Sequence, residues 1–324
     1  MTDTLTVWAL KIQPNSAEEA ATPYEFCKNQ SPPIIGTGWG LSERYDSVEA
    51  ALEQHRSKGN TDQYGNVRSS IRAMLQDVTV GDYVWVSEGS EYALCQVKSD
   101  WKQHPVSEHE ADEWTRNDIH NYRIADWEVI EPTLIPGYVK RYFSAPRILT
   151  MARPSGGKSE SAKRYVRELF QNGPSEVTDI VDLSELSTIV EASAVSEVFD
   201  LLDPVETEDL VLDYLQSDGW HIVKSSTSRA QPGIECILRR VKNSKPQAGY
   251  VQVKSGNATV EVDEYRELAS TGIVYLHQYE ALSGDLPEDI RWISPVELRD
   301  YIVQHPGYLP SHTAFKLKLG LEAE

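Results

Sequence analysis

Two short motifs, Pro232-Gly233-Ile234-Glu235 and Gln252-Val253-Lys254, constrain what this chain can fold into more than any other feature. Alternation along a strand that ends at Lys254 turns Gln252 and Lys254 to one face of a sheet. A hairpin-like pairing with a strand that begins near Glu235 would bring its carboxylate to the same end. Carboxylate and amide oxygens bind a hard cation, and a lysine offsets charge that builds on a phosphate. The motifs therefore predict metal-assisted cleavage of phosphodiester bonds.

Bulk composition favours a folded protein with more than one core. At 324 residues, with 40% hydrophobic residues and 8 Trp, the chain is long enough for two domains. No apolar run approaches the roughly 20 residues of a membrane span, and the N-terminus lacks the pattern of a signal peptide. The three cysteines, Cys27, Cys95 and Cys236, form no CxxC pair. We therefore expect a cytoplasmic protein with no membrane partner.

The charge is strongly acidic but unevenly distributed. The net charge is −19, and between Asn172 and Gly219 there are many acids but no Lys or Arg. From Lys224 to Lys254 the pattern reverses, with Glu235 as the only acid, and the stretch from Lys140 to Arg167 is also basic. Local potential decides where a polyanion binds, so two basic faces are compatible with nucleic acid. The residues expected to contact the DNA backbone are Lys140, Arg141, Arg239, Arg240 and Lys242. A salt-rich cytoplasm would also explain the acidic excess.

The order of predicted elements indicates two domains of mixed α/β and α+β class. Residues 1–152 predict a compact, strand-rich domain. Residues 153–203 predict a linker that is first basic and then acidic, with helices. Residues 204–310 predict a helix, three strands, a helix, a buried strand and a closing helix, which together form an α/β unit. Residues 311–324 are expected to be a tail.

The second region resembles the Mrr-like branch of the PD-(D/E)xK nucleases over roughly residues 204–305. Four pieces carry the resemblance in the family's order: Thr207-Glu208-Asp209-Leu210-Val211, Asp218-Gly219-Trp220, Pro232-Gly233-Ile234-Glu235 and Gln252-Val253-Lys254. It implies a restriction-endonuclease-like domain that uses Mg²⁺ or Mn²⁺. By the same resemblance, Glu235, Glu208 and the Val253 backbone would hold the metal. Gln252 would line the site and Lys254 would position or activate the attacking water.

Several alternatives remain open for these motifs. Position 235 is Glu where the family usually has Asp, and Gln252 is neutral, so a binding-only descendant remains open. Glu235 and Lys254 could instead form an ordinary cross-strand pair. The tripeptide Gln96-Val97-Lys98 repeats the second motif with Asp82 upstream, so a second site is another alternative.

The first region resembles the EVE/PUA-like modules, a β-barrel-type fold whose members bind modified bases. The resemblance spans about residues 5–150. Its pieces are Tyr24-Glu25-Phe26-Cys27, Ile34-Ile35-Gly36-Thr37-Gly38-Trp39-Gly40, Gly81-Asp82-Tyr83-Val84-Trp85, His120-Asn121-Tyr122-Arg123 and Asp126-Trp127. A flipped base needs aromatic faces to stack on and polar groups for its edge. The expected pocket residues are Trp39, Trp85, Trp101, Asp82 and Tyr83.

Together these features predict a modification-dependent restriction endonuclease. The first domain would flip and read a modified base in double-stranded DNA, with a modified cytosine expected, and the second would cut the backbone. One catalytic unit cuts one strand, so we expect a homodimer when both strands are cut, in a protein suited to defence against phage. A nuclease for branched or damaged DNA, a non-catalytic reader and an RNA-directed enzyme are the competing interpretations.

Overall fold

The computed structural model describes residues 5–12, 22–106, 112–144, 151–173, 181–227, 233–254, 260–279, 282 and 286–322. The chain divides into two compact units, residues 1–176 (unit 1) and residues 177–324 (unit 2). Both contain helices and strands, so the protein is of mixed α/β class, as the sequence predicts.

Unit 1 is built on a mixed sheet. Its strands are β1 (Val7–Lys11), β2 (Ile34–Thr37), β3 (Tyr83–Glu88), β4 (Glu91–Val97), β5 (Lys102–Gln103), β6 (Asn121–Val129) and β7 (Met151–Ala152). They lie in the order β2-β6-β4-β3-β1-β7, and β5 also pairs with β6. β1 and β3 are parallel, whereas the other pairs are antiparallel. The predicted hairpin of β3 and β4 is present.

Short helices surround this sheet. They are α1 (Pro23–Lys28), α2 (Val48–Ser57), α3 (Ser69–Arg72), α4 (Glu113–Arg116), α5 (Gly137–Ser144) and α6 (Glu160–Asn172), with a π-helical turn at Ala73–Asp77 and a 3₁₀ turn at Pro132–Leu134. The Ser159 hydroxyl accepts a hydrogen bond from the amide of Ala162 and so caps α6. Residues 153–173, the first part of the segment expected to be a linker, therefore include a capped helix of unit 1.

Unit 2 contains a five-stranded sheet with helices. Its strands are β8 (His221–Ile222), β9 (Cys236–Lys242), β10 (Lys245–Lys254), β11 (Ile273–Gln278) and β12 (Ile290–Trp292), in the order β12-β11-β10-β9-β8. β10, β11 and β12 are parallel neighbours, and β9 runs antiparallel to both β10 and β8. The α helices are α7 (Leu183–Ala192), α8 (Val195–Leu201), α9 (Pro204–Ser217), α10 (Arg266–Ala269), α11 (Pro295–Gln304) and α12 (Ser311–Leu321). Three 3₁₀ turns lie at Lys224–Ser226, Val262–Tyr265 and Pro306–Tyr308.

Local chemistry fixes where α9 begins. The Asp203 carboxylate accepts a hydrogen bond from the Glu206 amide at 2.9 Å, and the Glu206 carboxylate accepts one from the Asp203 amide at 2.8 Å. This capping box satisfies two backbone donors, and Pro204 occupies the first turn, where its missing N–H costs nothing. The helix predicted at the start of residues 204–310 is therefore present as α9.

The expected tail at residues 311–324 includes the helix α12, which buries Lys316 completely. Its ammonium nitrogen lies 2.6 Å from the carboxylate of Glu206, and the Thr313 hydroxyl donates to the same carboxylate at 2.6 Å. Breaking a buried ion pair of this kind costs about 3–5 kcal/mol, because the remaining charge has no solvent. The sequence around Glu206 does not indicate that Lys316 is its partner, because the two residues are 110 positions apart.

Candidate functional site

The β9–β10 pairing brings Glu235 and Gln252 together. Cys236 pairs with Val251, so the next position along each strand sets Glu235 opposite Gln252. The Glu235 amide donates to the Val251 carbonyl at 2.7 Å, and the Gln252 side-chain nitrogen donates to Glu235 Oε1 at 2.8 Å. The antiparallel pairing expected between the two motifs is therefore present. Pro232, the first residue of the first motif, lies outside the described residues.

Lys254 ends β10 on the same face of the sheet as Gln252. Its side chain is half-buried and forms no hydrogen bond or ion pair with any residue in the described ranges. In particular, its ammonium does not pair with Glu235. The ordinary cross-strand salt bridge between Glu235 and Lys254 is thus absent, and Lys254 has no partner among the residues that the structure describes.

The oxygen atoms around Gln252 fit a hard divalent cation. The Gln252 side-chain nitrogen lies 2.8 Å from Glu235 Oε1 and 3.0 Å from the Val253 carbonyl oxygen, so one side-chain amide contacts both oxygens. Turning the amide over would present Gln252 Oε1 to the same position, and O and N of an amide are assigned only from their partners. Carboxylate, carbonyl and amide oxygens are the ligands that Mg²⁺ and Ca²⁺ accept.

This donor set has little negative charge. Across the residues that the structure describes, no three His, Cys, Asp or Glu side chains form a group that could hold a metal ion. Glu235 contributes a carboxylate, whereas Gln252 and Val253 contribute neutral oxygens. Burial, with the Glu235 carboxylate next to it, raises the pKa of the Cys236 thiol to about 11, so this thiol stays protonated and is a poor ligand.

Glu208 lies half-buried in the first half of α9, and that helix packs against β8 and β10. The neighbouring acid of the same helix, Glu206, is committed to the buried pair with Lys316. Of the predicted catalytic residues, the structure therefore brings Glu235, Gln252 and the Val253 carbonyl into contact. It leaves Glu208 as a residue of an adjoining helix.

One predicted DNA-backbone residue has a different role. The guanidinium of Arg240 donates to Asp218 at 2.9 Å and to Gln247 at 2.8 Å, and it lies 4.1 Å above the ring of Trp220. With its side chain 8% exposed, Arg240 has no free face for a phosphate, so this prediction is wrong. Arg239 and Lys242 are exposed on the same strand. Lys140 and Arg141 lie half-buried on α5 of unit 1.

Three of the expected base-pocket residues belong to the core of unit 1. Trp85 is fully buried and its ring nitrogen donates to the Tyr138 hydroxyl at 3.3 Å, so neither face is open to a base. Asp82, 2% exposed, accepts hydrogen bonds from the amides of Thr6 and Thr79 and from the ring nitrogen of Trp8. A carboxylate held by three donors joins segments of the unit and is not available to a ligand.

Tyr83 is equally buried, at 2% exposure. Its hydroxyl accepts a hydrogen bond from the Gln96 side chain at 3.0 Å, and its ring meets that of Phe170 edge-on at 5.5 Å. Residues 82–85, which include the start of β3, therefore belong to the core and not to a pocket wall, because all four side chains are buried.

The other two tryptophans are joined through a buried asparagine. Asn121 donates to the carbonyls of Gly38 and Trp39 at 2.8 and 3.2 Å, and it accepts from the Trp101 ring nitrogen at 3.1 Å. Both indoles are partly buried against the core. Thr37, opposite Asn121 in the strand register, has a buried hydroxyl without a hydrogen-bond partner in the described part of the chain. Of the five expected pocket residues, Trp39 and Trp101 therefore remain. Asn121, which was not among those five, contacts both of them.

The backbone at Trp39 adopts a conformation that side chains rarely take, with φ of 56°. The glycines on either side are required by space. A Cβ on Gly38 would lie 2.4 Å from the Asp118 carboxylate, and one on Gly40 would lie 2.2 Å from Val106. The segment Gly38-Trp39-Gly40 thus holds the ring in a strained turn, a feature that clusters at ligand-binding sites.

Comparisons with known proteins bear on unit 2 most directly. Residues 199–281 match the Mrr catalytic family, described as a restriction endonuclease. This range contains α9 and the strands that carry Glu235, Gln252 and Lys254, so the predicted resemblance of the second region to restriction endonucleases is confirmed. No curated protein matches the chain.

One solved structure also matches, the MspJI restriction endonuclease in complex with a 27-mer oligonucleotide. It shares 11% sequence identity, and the match covers 97% of this chain and 79% of that one, with a TM-score of 0.25. A TM-score this low does not indicate a shared fold over the whole chain. Among the described residues, no helix has the length and apolar character needed to cross a membrane.

Proposed function

We propose that this protein is a modification-dependent DNA endonuclease that uses Mg²⁺ or Mn²⁺. The observation that carries the proposal is the hydrogen bond between Gln252 and Glu235, with Lys254 two positions farther along the same strand, inside a region that matches restriction endonucleases. A restriction-endonuclease catalytic domain implies hydrolysis of DNA phosphodiester bonds. The finer claims, on the modified base and on the metal, rest on the local chemistry of the two units.

Each residue of the proposed catalytic site has a separate task. Glu235 and the Val253 carbonyl hold the cation, and Gln252 either completes the ligand set through Oε1 or fixes the Glu235 carboxylate through its nitrogen. The cation, when bound, supplies a water of lowered pKa and neutralises phosphate charge. Lys254 places its ammonium beside the scissile phosphate and orients the attacking water. Glu208 contributes a second carboxylate from α9.

For unit 1 we propose recognition of a flipped base, with a modified cytosine as the first candidate. Trp39 and Trp101 offer indole faces on which a base stacks, worth about 1–3 kcal/mol per base. Asn121 holds both tryptophans in place by accepting from one and donating to the backbone of the other. The unpartnered Thr37 hydroxyl is available to hydrogen bond the base edge. One catalytic centre per chain implies two copies for a double-strand break.

The test uses matched plasmids, unmodified and carrying modified cytosine, digested with Mg²⁺, with Mn²⁺ or with chelator. We expect cleavage only of the modified plasmid and only with metal. Trp39→Ala should lose the preference for modified DNA, whereas Tyr64→Ala, which removes an exposed ring elsewhere in unit 1, should keep it. Equal cleavage of both plasmids would show that modification is not what is read and would favour a nuclease for branched or damaged DNA.

A non-catalytic reader is the second candidate, and the low negative charge of the donor set favours it. A reader would bind modified duplex tightly yet leave it intact at every metal concentration. Binding assays run beside the digestions separate the two functions, and competition with RNA of the same sequence tests the RNA-directed alternative.

A further inference from the structure

The hairpin of β9 and β10 extends beyond the rest of the sheet. β8 pairs with β9 only at Leu238 and Arg239, and β11 pairs with β10 only from Gly249 onward. In the part of the chain that the structure describes, residues 240–248 therefore form a ribbon of two strands with which no third strand pairs, and we call it the β-ribbon. A two-stranded hairpin is only marginally stable by itself in water, so its persistence beyond the sheet requires an anchor.

Arg240 provides that anchor at the root of the β-ribbon. It lies directly opposite Gln247 across the two strands and donates to it at 2.8 Å. Its guanidinium also donates to Asp218 and stacks on the ring of Trp220. Trp220 is 1% exposed, and its ring nitrogen donates a hydrogen bond to the Tyr275 hydroxyl. A planar guanidinium held on an aromatic face and in a carboxylate pair fixes the direction of the strand.

The tip of the β-ribbon is exposed and positively charged. Its two-residue turn, Asn243-Ser244, has positive φ at both positions, as the tight hairpin turn of type I′ requires. Lys242 and Lys245 lie directly opposite each other, an arrangement of like charges that destabilises a hairpin. Neither lysine forms an ion pair with a described residue, in a chain of net charge −19. Their placement costs folding stability, so a role in binding a polyanion explains it better.

Arg239, which pairs with β8 just before the β-ribbon, and Val241 inside the β-ribbon lie on the same face of the sheet as the candidate active site. Alternation along β9 sets Arg239 and Val241 on the face of Glu235. Arg239 is exposed and without an ion pair among described residues, and Val241 is 74% exposed. An arginine with an adjacent apolar side chain is the combination that reads base edges, because the guanidinium bonds guanine and the methyls contact thymine.

We propose that the β-ribbon enters the major groove of the duplex that the enzyme cuts. The major groove admits a two-stranded ribbon, whereas the minor groove is about half as wide. Arg239 and Val241 face the base edges, and Lys242 and Lys245 reach the phosphates at the groove's rims. This inference rests on the proposed function only for the position of the cut.

The geometry of a strand gives the distance. Arg239 and Val241 follow Glu235 by four and six residues, which is about 13 and 20 Å at roughly 3.3 Å per residue. At about 3.4 Å per base pair, the contacts fall about four to six base pairs from the cleaved bond. The β-ribbon thus gives the enzyme a second contact on the same duplex, apart from the base read by unit 1.

The experiment compares the full-length protein with Lys242→Ala/Lys245→Ala on a modified duplex in chelator, so that no cutting occurs. Removing two phosphate contacts should lower the slope of log affinity against log salt by about 1.8. The matched control, Lys58→Ala/Arg291→Ala, removes two exposed positive charges elsewhere and should leave the slope unchanged. Thermal midpoints should be equal or higher in the ribbon variant, because a repulsive pair is removed.

Dimethyl sulfate gives the groove directly, since it methylates guanine N7 in the major groove and adenine N3 in the minor groove. We expect N7 protection about four to six base pairs from the cut, lost in Arg239→Ala. Protection of N3 alone, or an unchanged salt slope in the ribbon variant, would overturn the proposal.

The outcomes also separate this proposal from the proposed function. Cleavage of modified DNA with an unchanged salt slope would leave the endonuclease intact and remove the β-ribbon from it. Ribbon-dependent binding and N7 protection without any cleavage would retain the β-ribbon and reject catalysis. Failure of the wild type to bind any duplex would reject both.

Discussion

Two identical tripeptides, Gln96-Val97-Lys98 in unit 1 and Gln252-Val253-Lys254 in unit 2, end or nearly end buried strands yet have different surroundings. In β4, Gln96 donates to the Tyr83 hydroxyl, and the Lys98 ammonium pairs with Asp126 at 3.0 Å. In β10, the glutamine donates to a carboxylate and the lysine has no partner in the described part of the chain. In unit 1 the lysine of the tripeptide is therefore neutralised by an exposed aspartate. In unit 2 the glutamine contacts a carboxylate and the lysine has no ion pair among the described residues.

The acids paired with the tripeptides differ in the same way. Asp82, the acid upstream of Gln96, uses both carboxylate oxygens to accept from two amides and an indole. Glu235 accepts from one side-chain amide, which can turn its oxygen to a cation. What a short motif can bind thus depends on the residues that pack around it. Beside Gln96-Val97-Lys98, the Asp82 carboxylate is already held by three donors and is not available to a metal.

The largest expected effect is on cleavage when each lysine is removed. Lys254→Ala should reduce the cleavage rate by about 10²–10³-fold, because a positive charge aimed at the developing phosphate charge is lost. Lys98→Ala is the matched control and should change the rate less than about twofold. Single-turnover digestion of the modified plasmid measures both. A dead Lys98→Ala beside an active Lys254→Ala would reverse the assignment of the two tripeptides.

Replacing the acids should separate catalysis from folding. Glu235→Gln should lower metal-dependent cleavage by about 100-fold with little change in thermal stability, since Glu235 is half-buried and bonded to one amide. Asp82→Asn should instead destabilise unit 1 by about 1–3 kcal/mol, because an N–H would face a donor in a buried network. Urea unfolding and digestion of the same samples give both values. Equal loss of stability in the two variants would contradict the assignment of Glu235 to catalysis and of Asp82 to folding.

A smaller effect is expected from adding a carboxylate. Gln252→Glu places two carboxylates next to each other in a buried position, so the protein should be less stable in chelator. Mg²⁺ should restore stability and the half-maximal metal concentration for cleavage should fall by about tenfold. Gln96→Glu, the control, should show no response to Mg²⁺. Thermal unfolding with and without metal tests the cation site independently of cleavage.

The smallest effect concerns the surface pair. Asp126→Asn removes the ion-pair partner of Lys98, whose ammonium still donates a hydrogen bond to Gln96 Oε1, and should cost less than about 1 kcal/mol because both side chains are well exposed. It should also create no cleavage activity, since Asp82 remains occupied. New activity in Asp126→Asn would mean that a lysine without an ion pair on this tripeptide is sufficient by itself.

Local patterns predicted much of the fold. Alternation placed Gln252 and Lys254 on one face of β10, and residues 204–310 contain the helix, three strands, helix, buried strand and closing helix that the sequence predicts, with β12 in addition. The antiparallel approach of Glu235 to Gln252 also followed from alternation. The second helix of this order is short, a 3₁₀ turn followed by the four-residue α10.

What local patterns could not give were contacts between distant residues. The ring nitrogen of Trp85 donates to the Tyr138 hydroxyl, 53 positions away. The sequence of the strand that carries Trp85 therefore does not reveal that its ring is buried. Arg240 has the same residue type as Arg239, yet Asp218 and Trp220 commit it to the fold. The role of Asn121 depends on Trp39 and Trp101 approaching from two other segments.

The buried pair of Lys316 and Glu206 determines how unit 2 opens. Detaching α12 would leave two opposite charges facing apolar neighbours, so this helix should not fray separately from α9. Its amides from Thr313 to Leu317 should therefore exchange with deuterium as slowly as those of β10. A segment that looks peripheral in the sequence would then unfold only when the whole nuclease-like unit does.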